Sequence, residues 1–139
     1  MKILINGKSH GIAGDIWLLL LRVTLGLLMI NHGWSKFQLL IDGGASQFPD
    51  PLGIGHYMSL LFAVITEVLF SIFLMAGFLS RLSSFGLAFT MFVAAFIQHA
   101  DDPFAKKEMA ILYLIIYITL LVKGSGKFSI DHYLSRKRR

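Results

Sequence analysis

Two ionisable residues stand inside otherwise apolar stretches: Arg22, in a run that begins at Ile16, and Glu67, near the middle of a run that begins at Tyr57. A charge at the centre of a bilayer costs at least about 2.5–3.5 kcal/mol on insertion scales, so each residue must face a protein interior and find a partner there. If the two runs are antiparallel helices, a rise of about 1.5 Å per residue leaves Arg22 and Glu67 offset by about one turn. A long arginine side chain spans that offset, so pairing between Arg22 and Glu67 is the expectation. Such a pair has two readings. It is a site for a proton, a quinone head-group or another polar ligand, or it is a structural ion pair that fixes helix register, with Arg22 alternatively reaching back to the nearer interface.

Other candidates gather at one end of these helices. His32, Lys36, His56, His99, Asp101, Asp102 and Glu108 all fall in or beside the two polar connections. His32 and His99 end parallel helices, while His56 and Glu108 begin the antiparallel ones, so these four are expected to converge on one mouth of a bundle. Imidazole and carboxylate groups there would relay protons to a quinone, or bind a metal or haem. No HxxH or ExxH spacing occurs, so no metal site is assigned and haem ranks behind quinone as a cofactor. Solvated helix ends are the alternative for these residues. On the first run, Arg22, Gly26, Met29, Gly33 and Lys36 follow 4-3-4-3 spacing and form one stripe. Gly26 and Gly33 admit a second backbone, so the stripe is a packing seam, used either within the bundle or between copies in a homo-oligomer.

The elements that must carry these residues are read from composition. Of the 139 residues, 55% are hydrophobic and 15% charged, against roughly 25% charged in an average soluble domain. The mean hydropathy is +0.68. Apolar runs lie at about 16–36, 57–78, 82–98 and 109–122, and the first just spans a hydrocarbon core of about 30 Å. Trp17 and Trp34 stand near its two ends, as interfacial aromatics do. Stretches such as Phe62-Ala63-Val64-Ile65 show no polar face, against a soluble bundle. The expectation is an all-α integral membrane four-helix bundle, one transmembrane domain over residues 1–139.

Four crossings put both termini and the Leu79-Ser80-Arg81 turn on one side. That side holds nine basic residues: Lys2, Lys8, Arg81, Lys123, Lys127, Arg136, Lys137, Arg138 and Arg139. The other side holds three, Lys36, Lys106 and Lys107. The imbalance predicts cytoplasmic termini in a plasma (inner) membrane. The formal charge of +5 lies at chain ends and turns, the pattern of membrane anchoring rather than a nucleic-acid face. The Arg136-Lys137-Arg138-Arg139 end reads as a topology determinant and a contact for anionic lipid in the bilayer. No cysteine is present, which excludes thiol exchange, thiolate zinc and Fe–S ligation by this chain alone.

The ordered set of motifs resembles the DoxX family. Its parts are Leu21-Arg22, Gly26 and His32-Gly33-Trp34-Ser35-Lys36-Phe37; then Thr66-Glu67 and Gly77-Phe78-Leu79-Ser80-Arg81; then Gly124-Ser125-Gly126-Lys127-Phe128-Ser129-Ile130-Asp131. The resemblance implies a small bacterial four-helix membrane protein and a link to respiratory or redox chemistry. Related proteins include the membrane subunit of an archaeal thiosulfate:quinone oxidoreductase and members of thiol-redox complexes. Two functional readings follow. One is a quinone-linked subunit of an oxidoreductase system that works with a soluble redox partner, with Arg22 and Glu67 at the head-group and His32, Lys36 and His99 relaying protons. The other is a non-enzymatic scaffold or assembly factor, or a small carrier of lipid or solute.

Overall fold

The structure is a computed structural model and describes residues 10–137. Lys2, Lys8, Arg138 and Arg139, part of the charge count above, lie outside the described residues. The described residues form helices and loops without strands. We label the helices α1 (Ile12–Ile41), α2 (His56–Ala76), α3 (Ser80–Gln98), α4 (Phe104–Lys123) and α5 (Ile130–Lys137). Of these, α1, α2 and α3 are long and apolar enough to cross a membrane. Large side chains such as Trp17, Leu27, Phe85 and Val122 are more than half exposed, an outer surface suited to lipid rather than water.

The helix limits depart from the apolar runs where backbone chemistry, rather than hydropathy, sets them. α1 starts four residues before Ile16 and ends at Ile41, because the helix continues through polar residues until Gly43 and Gly44 stop it. α4 begins at Phe104, not Met109; Lys106, Lys107 and Glu108 are helix formers and extend it into the polar connector. α2 stops at Ala76 rather than Phe78. Gly77 takes the left-handed conformation (φ 69°), its N–H bonds Leu74 O (3.1 Å), and the Phe78 N–H bonds Phe73 O (2.8 Å). This is a Schellman closure, completed by edge-on packing of the Phe73 and Phe78 rings. α5 is an addition that the apolar runs did not indicate.

One core cluster draws on all four long helices: Leu18, Leu25 and Met29 from α1, Leu74 from α2, Leu87, Ala88 and Met91 from α3, Tyr117 and Leu120 from α4. Two helical interiors depart from α geometry. Ile65–Phe70 in α2 and Ala94–Gln98 in α3 are π-helical turns, which insert an extra residue and re-aim the side chains around them.

Candidate functional site

The expected Arg22–Glu67 pair does not form. Arg22 is fully buried toward the end of the bundle where α1 begins and α4 ends. Its Nη2 donates to Phe128 O (2.6 Å) and its Nη1 to Leu74 O (3.3 Å). Close by, the buried Asp131 carboxylate accepts the backbone N–H groups of Leu79 and Ser80 (2.9 Å each) and so caps α3, while the Asp131 N–H bonds Gly77 O (2.9 Å). Asp15, also buried, accepts the N–H groups of Lys127 (3.0 Å) and His10 (3.1 Å). Together these bonds clasp residues 124–131 onto the starts of α1 and α3. A side chain at Gly77 would strike Arg22 and Ser129, and one at Gly126 would crowd Asp15 (3.2 Å). Arg22 therefore serves the clasp, where it has backbone acceptors and a nearby carboxylate in place of Glu67. Asp15 and Asp131 were not among the candidates read from sequence. For Asp15 a signal existed, since the stripe of Arg22, Gly26, Met29 and Gly33 extends back through Leu18 to Asp15.

Glu67 instead meets Lys36, at 2.5 Å between Nζ and Oε1. The packing seam explains this. Gly33 lies so close to α2 that an added Cβ would stand 2.8 Å from Glu67 Cβ, and Lys36 follows three residues later on the same stripe. Gly26 packs likewise against Ser71 and Met75, so both glycines are used inside the chain. Glu67 is 2% exposed and Lys36 30%. The second carboxylate oxygen, Oε2, is buried and has no hydrogen-bond partner among the described residues.

That oxygen belongs to a residue on the wall of a cavity of about 650 Å³ between α2 and α3. Ser59, Thr66, Glu67 and Phe70 of α2 line it, with Gly86, Thr90 and Gln98 of α3 opposite, Lys36 of α1 and His99 at its loop end. Both π turns contribute to the lining: Ile65, Thr66, Glu67 and Phe70 from one, Ala94 and Gln98 from the other. Thr90 and Thr66 hydroxyls bridge the two helices at 2.8 Å. The half-exposed rings of Phe62, Phe85 and Phe89 line the outward side, so the cavity reaches the lipid-facing surface of the bundle.

The histidines do not converge. His32 is exposed and packs edge-on against Tyr113 of α4. The His56 Nδ1 lies 2.6 Å from Phe48 O, and the His99 Nδ1 2.6 Å from Asp102 Oδ2. Glu108 is exposed. Among the described residues no three His, Asp or Glu side chains stand close enough to hold a metal ion. The connections satisfy His56 and His99 separately, through Phe48 O and Asp102, while His32 packs on α4. Of the candidates, Lys36, Glu67 and His99 share the cavity; Arg22 and His32 lie outside it. The hydrogen bond from His99, with Lys106 beside it, holds the Asp102 carboxyl below the usual carboxylate range.

The DoxX family profile matches residues 17–100. An uncharacterized protein of Haemophilus influenzae is 28% identical over 131 residues, covering 87% of this chain and 92% of its own length. A Bacillus subtilis protein named "Putative oxidoreductase CatD" is 29% identical over 126 residues, covering 90% of this chain and 92% of its own length. No solved structure matches the chain.

Proposed function

The chain belongs to the DoxX family, and from that premise we propose that it is a quinone-linked subunit of an inner-membrane oxidoreductase system. The observation that carries this reading is Glu67 Oε2, a buried acceptor without a partner among the described residues, on a residue lining an otherwise largely apolar cavity open toward lipid. An amphiphile with one hydroxylated head and a long apolar tail fits these walls: the tail lies along Phe62, Phe85 and Phe89, the head beside Glu67. A quinol at this place supplies two electrons and two protons. Glu67 Oε2 accepts the head-group hydroxyl as a hydrogen bond and takes up the two protons one after the other, the first passing on toward water before the second arrives. Lys36, bonded to Oε1, compensates the carboxylate charge and retains N–H groups for a head-group oxygen. Gln98 and His99 lie toward the loop end, where a proton leaves for water. The electrons pass to a soluble redox protein, since a chain without cysteine has no thiol pair to take them. The name of the Bacillus subtilis relative agrees with an oxidoreductase context.

Four crossings with cytoplasmic termini complete the reading. The nine-to-three distribution of basic residues supports it. So does the length of α4, 20 residues with Lys106 and Lys107 in its first turn, positions from which lysines snorkel to an interface.

Titration of the purified protein in nanodiscs with a short-tailed quinol tests the proposal. Saturable binding is expected, weakened at least about tenfold by Glu67→Gln, as loss of one hydrogen bond to a charged group implies. Absence of saturation, or equal affinity of the variant, overturns it. The clasp around Arg22 favours one competing reading, because it is a buried charge in this bundle with a purely architectural role. If the protein is a scaffold or lipid carrier, the Lys36–Glu67 pair is architectural too. Glu67→Gln then lowers stability and leaves any ligand binding intact.

A further inference from the structure

Residues 42–55 connect α1 to α2 and form the loop-end wall of the cavity, with Phe48, Pro49, Leu52 and Ile54 among its lining. The fastening of this segment centres on Asp50. Its carboxylate accepts the N–H groups of Ile54 (3.0 Å) and Gly55 (2.8 Å) and the Ser59 hydroxyl of α2 (2.7 Å). His56 adds a second tie through Phe48 O. Both ends of the segment carry glycines at positive φ, Gly43 at 72° and Gly55 at 102°, and an added side chain at either would meet nothing within 4 Å. Crowding is therefore not the reason for glycine at these positions. The backbone conformation is, and such positions are where a chain turns most freely. Between them the Phe48 ring lies 5.9 Å from Lys36 Nζ, so the segment covers the ion pair from the loop end.

We infer that residues 43–55 are a hinged lid, latched by Asp50, that admits water and protons from the loop end to the Lys36–Glu67 pair. The cavity then has two entrances with different chemistry. An apolar ligand enters between the rings of Phe62, Phe85 and Phe89 from the bilayer, and protons enter under Phe48 from water. With the latch closed, Glu67 is shielded and its charge interactions are strong. With the latch open, Lys36 and Glu67 exchange protons without releasing a ligand held in the lipid-facing groove. The Ser59 hydroxyl, above all, holds the Asp50 carboxyl below its ordinary range, with the N–H groups of Gly55 and Ile54 and the neighbouring His56 adding to the effect, so the latch is charged at neutral pH. From the functional proposal the inference takes only that Glu67 exchanges protons; it does not depend on the ligand.

The absence of native cysteine makes a direct test available. Ala63→Cys places a reporter on the buried cavity wall, and Ser71→Cys places a control on α2 away from it. Both are labelled in lipid nanodiscs, without quinone, by a charged maleimide that does not enter the bilayer. In an Asp50→Ala background the Ala63→Cys site is expected to react at least about tenfold faster, the effect of losing charge-assisted hydrogen bonds from a closed state, while Ser71→Cys stays protected. An unchanged rate at position 63 overturns the lid, because the segment is then a fixed plug. Equal acceleration at position 71 also overturns it, because the whole bundle has loosened. Should Asp50→Ala not fold, Asp50→Asn, which keeps the side-chain shape but removes the charge and one of the two acceptor oxygens of the latch, supplies the same comparison with the same two overturning results. Failure of quinol binding leaves these rates untouched, so the two proposals fail separately.

Discussion

At Glu67 the two carboxylate oxygens differ: one is held by Lys36, and the other is buried without a partner among the described residues. At Arg22 two guanidinium nitrogens bond the backbone carbonyls of Leu74 in α2 and of Phe128, while Nε is buried without a hydrogen-bond partner among the described residues. Residues of the same buried, charged kind thus divide into a site and a structural tie, and their substitutions should part accordingly. Arg22→Met leaves the Asp131 carboxylate and two carbonyls without their cation. It is expected to cost about 3–5 kcal/mol of stability, measured by denaturing-detergent unfolding, with quinol affinity per folded molecule unchanged. A third residue-scale expectation concerns Asp102. Its folded pKa lies below the ordinary 3.8, first because of the His99 hydrogen bond. The stability it contributes is therefore fully present above 3.8 and is lost as pH falls through the lower folded value. Carbon-13 titration of Asp102 should show a midpoint below 3.8 that moves up toward it in His99→Ala.

Between elements, the contact of α1 with α2 sets where Glu67 points. The two seam glycines are not equivalent in this. At Gly33 an added methyl meets Glu67 Cβ at 2.8 Å and the Glu67 backbone carbon at 3.1 Å; at Gly26 it first meets the flexible Met75 side chain, with Ser71 O at 3.0 Å. Gly33→Ala is thus expected to lower stability by about 1–3 kcal/mol as an overpacked seam does. It should also weaken quinol binding, because α2 is pushed away at the site. Gly26→Ala should cost less and leave binding near that of the native protein, since methionine repacks. Comparable losses of affinity in the two variants would show that the seam does not position Glu67. The π turns act in the same direction. Thr66 and Glu67 from one turn and Ala94 from the other line the space between α2 and α3.

Across the whole molecule, the chain end is part of the fold. Phe128 O and Asp131 tie residues 124–131 to α1, α2 and the start of α3, contacts separated by 106 and 52 positions in sequence. Removal of residues 125–139 is expected to prevent accumulation of folded protein. Removal of residues 136–139 alone should leave thermal stability unchanged and alter only orientation in the membrane. Expression with terminal reporters and thermal denaturation of the purified protein check the two cases. Cytoplasmic activity of reporters fused at both termini is the expected topology result.

Hydropathy and local spacing are one-dimensional properties, and whatever depends on them could be read directly from the residues. The helical class, the apolar runs, the stripe of Gly26 and Gly33 and the family pattern are all of this kind. The Gly77-Phe78-Leu79-Ser80-Arg81 and Gly124–Asp131 motifs were visible too, but as pattern without cause; the structure shows them as the two halves of one clasp. Partner choice was not legible. Depth along a helix placed Arg22 within a turn of Glu67, yet pairing also needs the rotation of each helix and competing groups from distant segments. Phe128 O and Asp131 return from the far end of the chain to claim the surroundings of Arg22, and the α1 seam delivers Lys36 to Glu67. That charges lie buried in an apolar bundle follows from the residues alone, because their cost in lipid demands it. Which charge is bonded to backbone and which lines a cavity follows from the folded arrangement, because it depends on groups far apart in sequence meeting at one place.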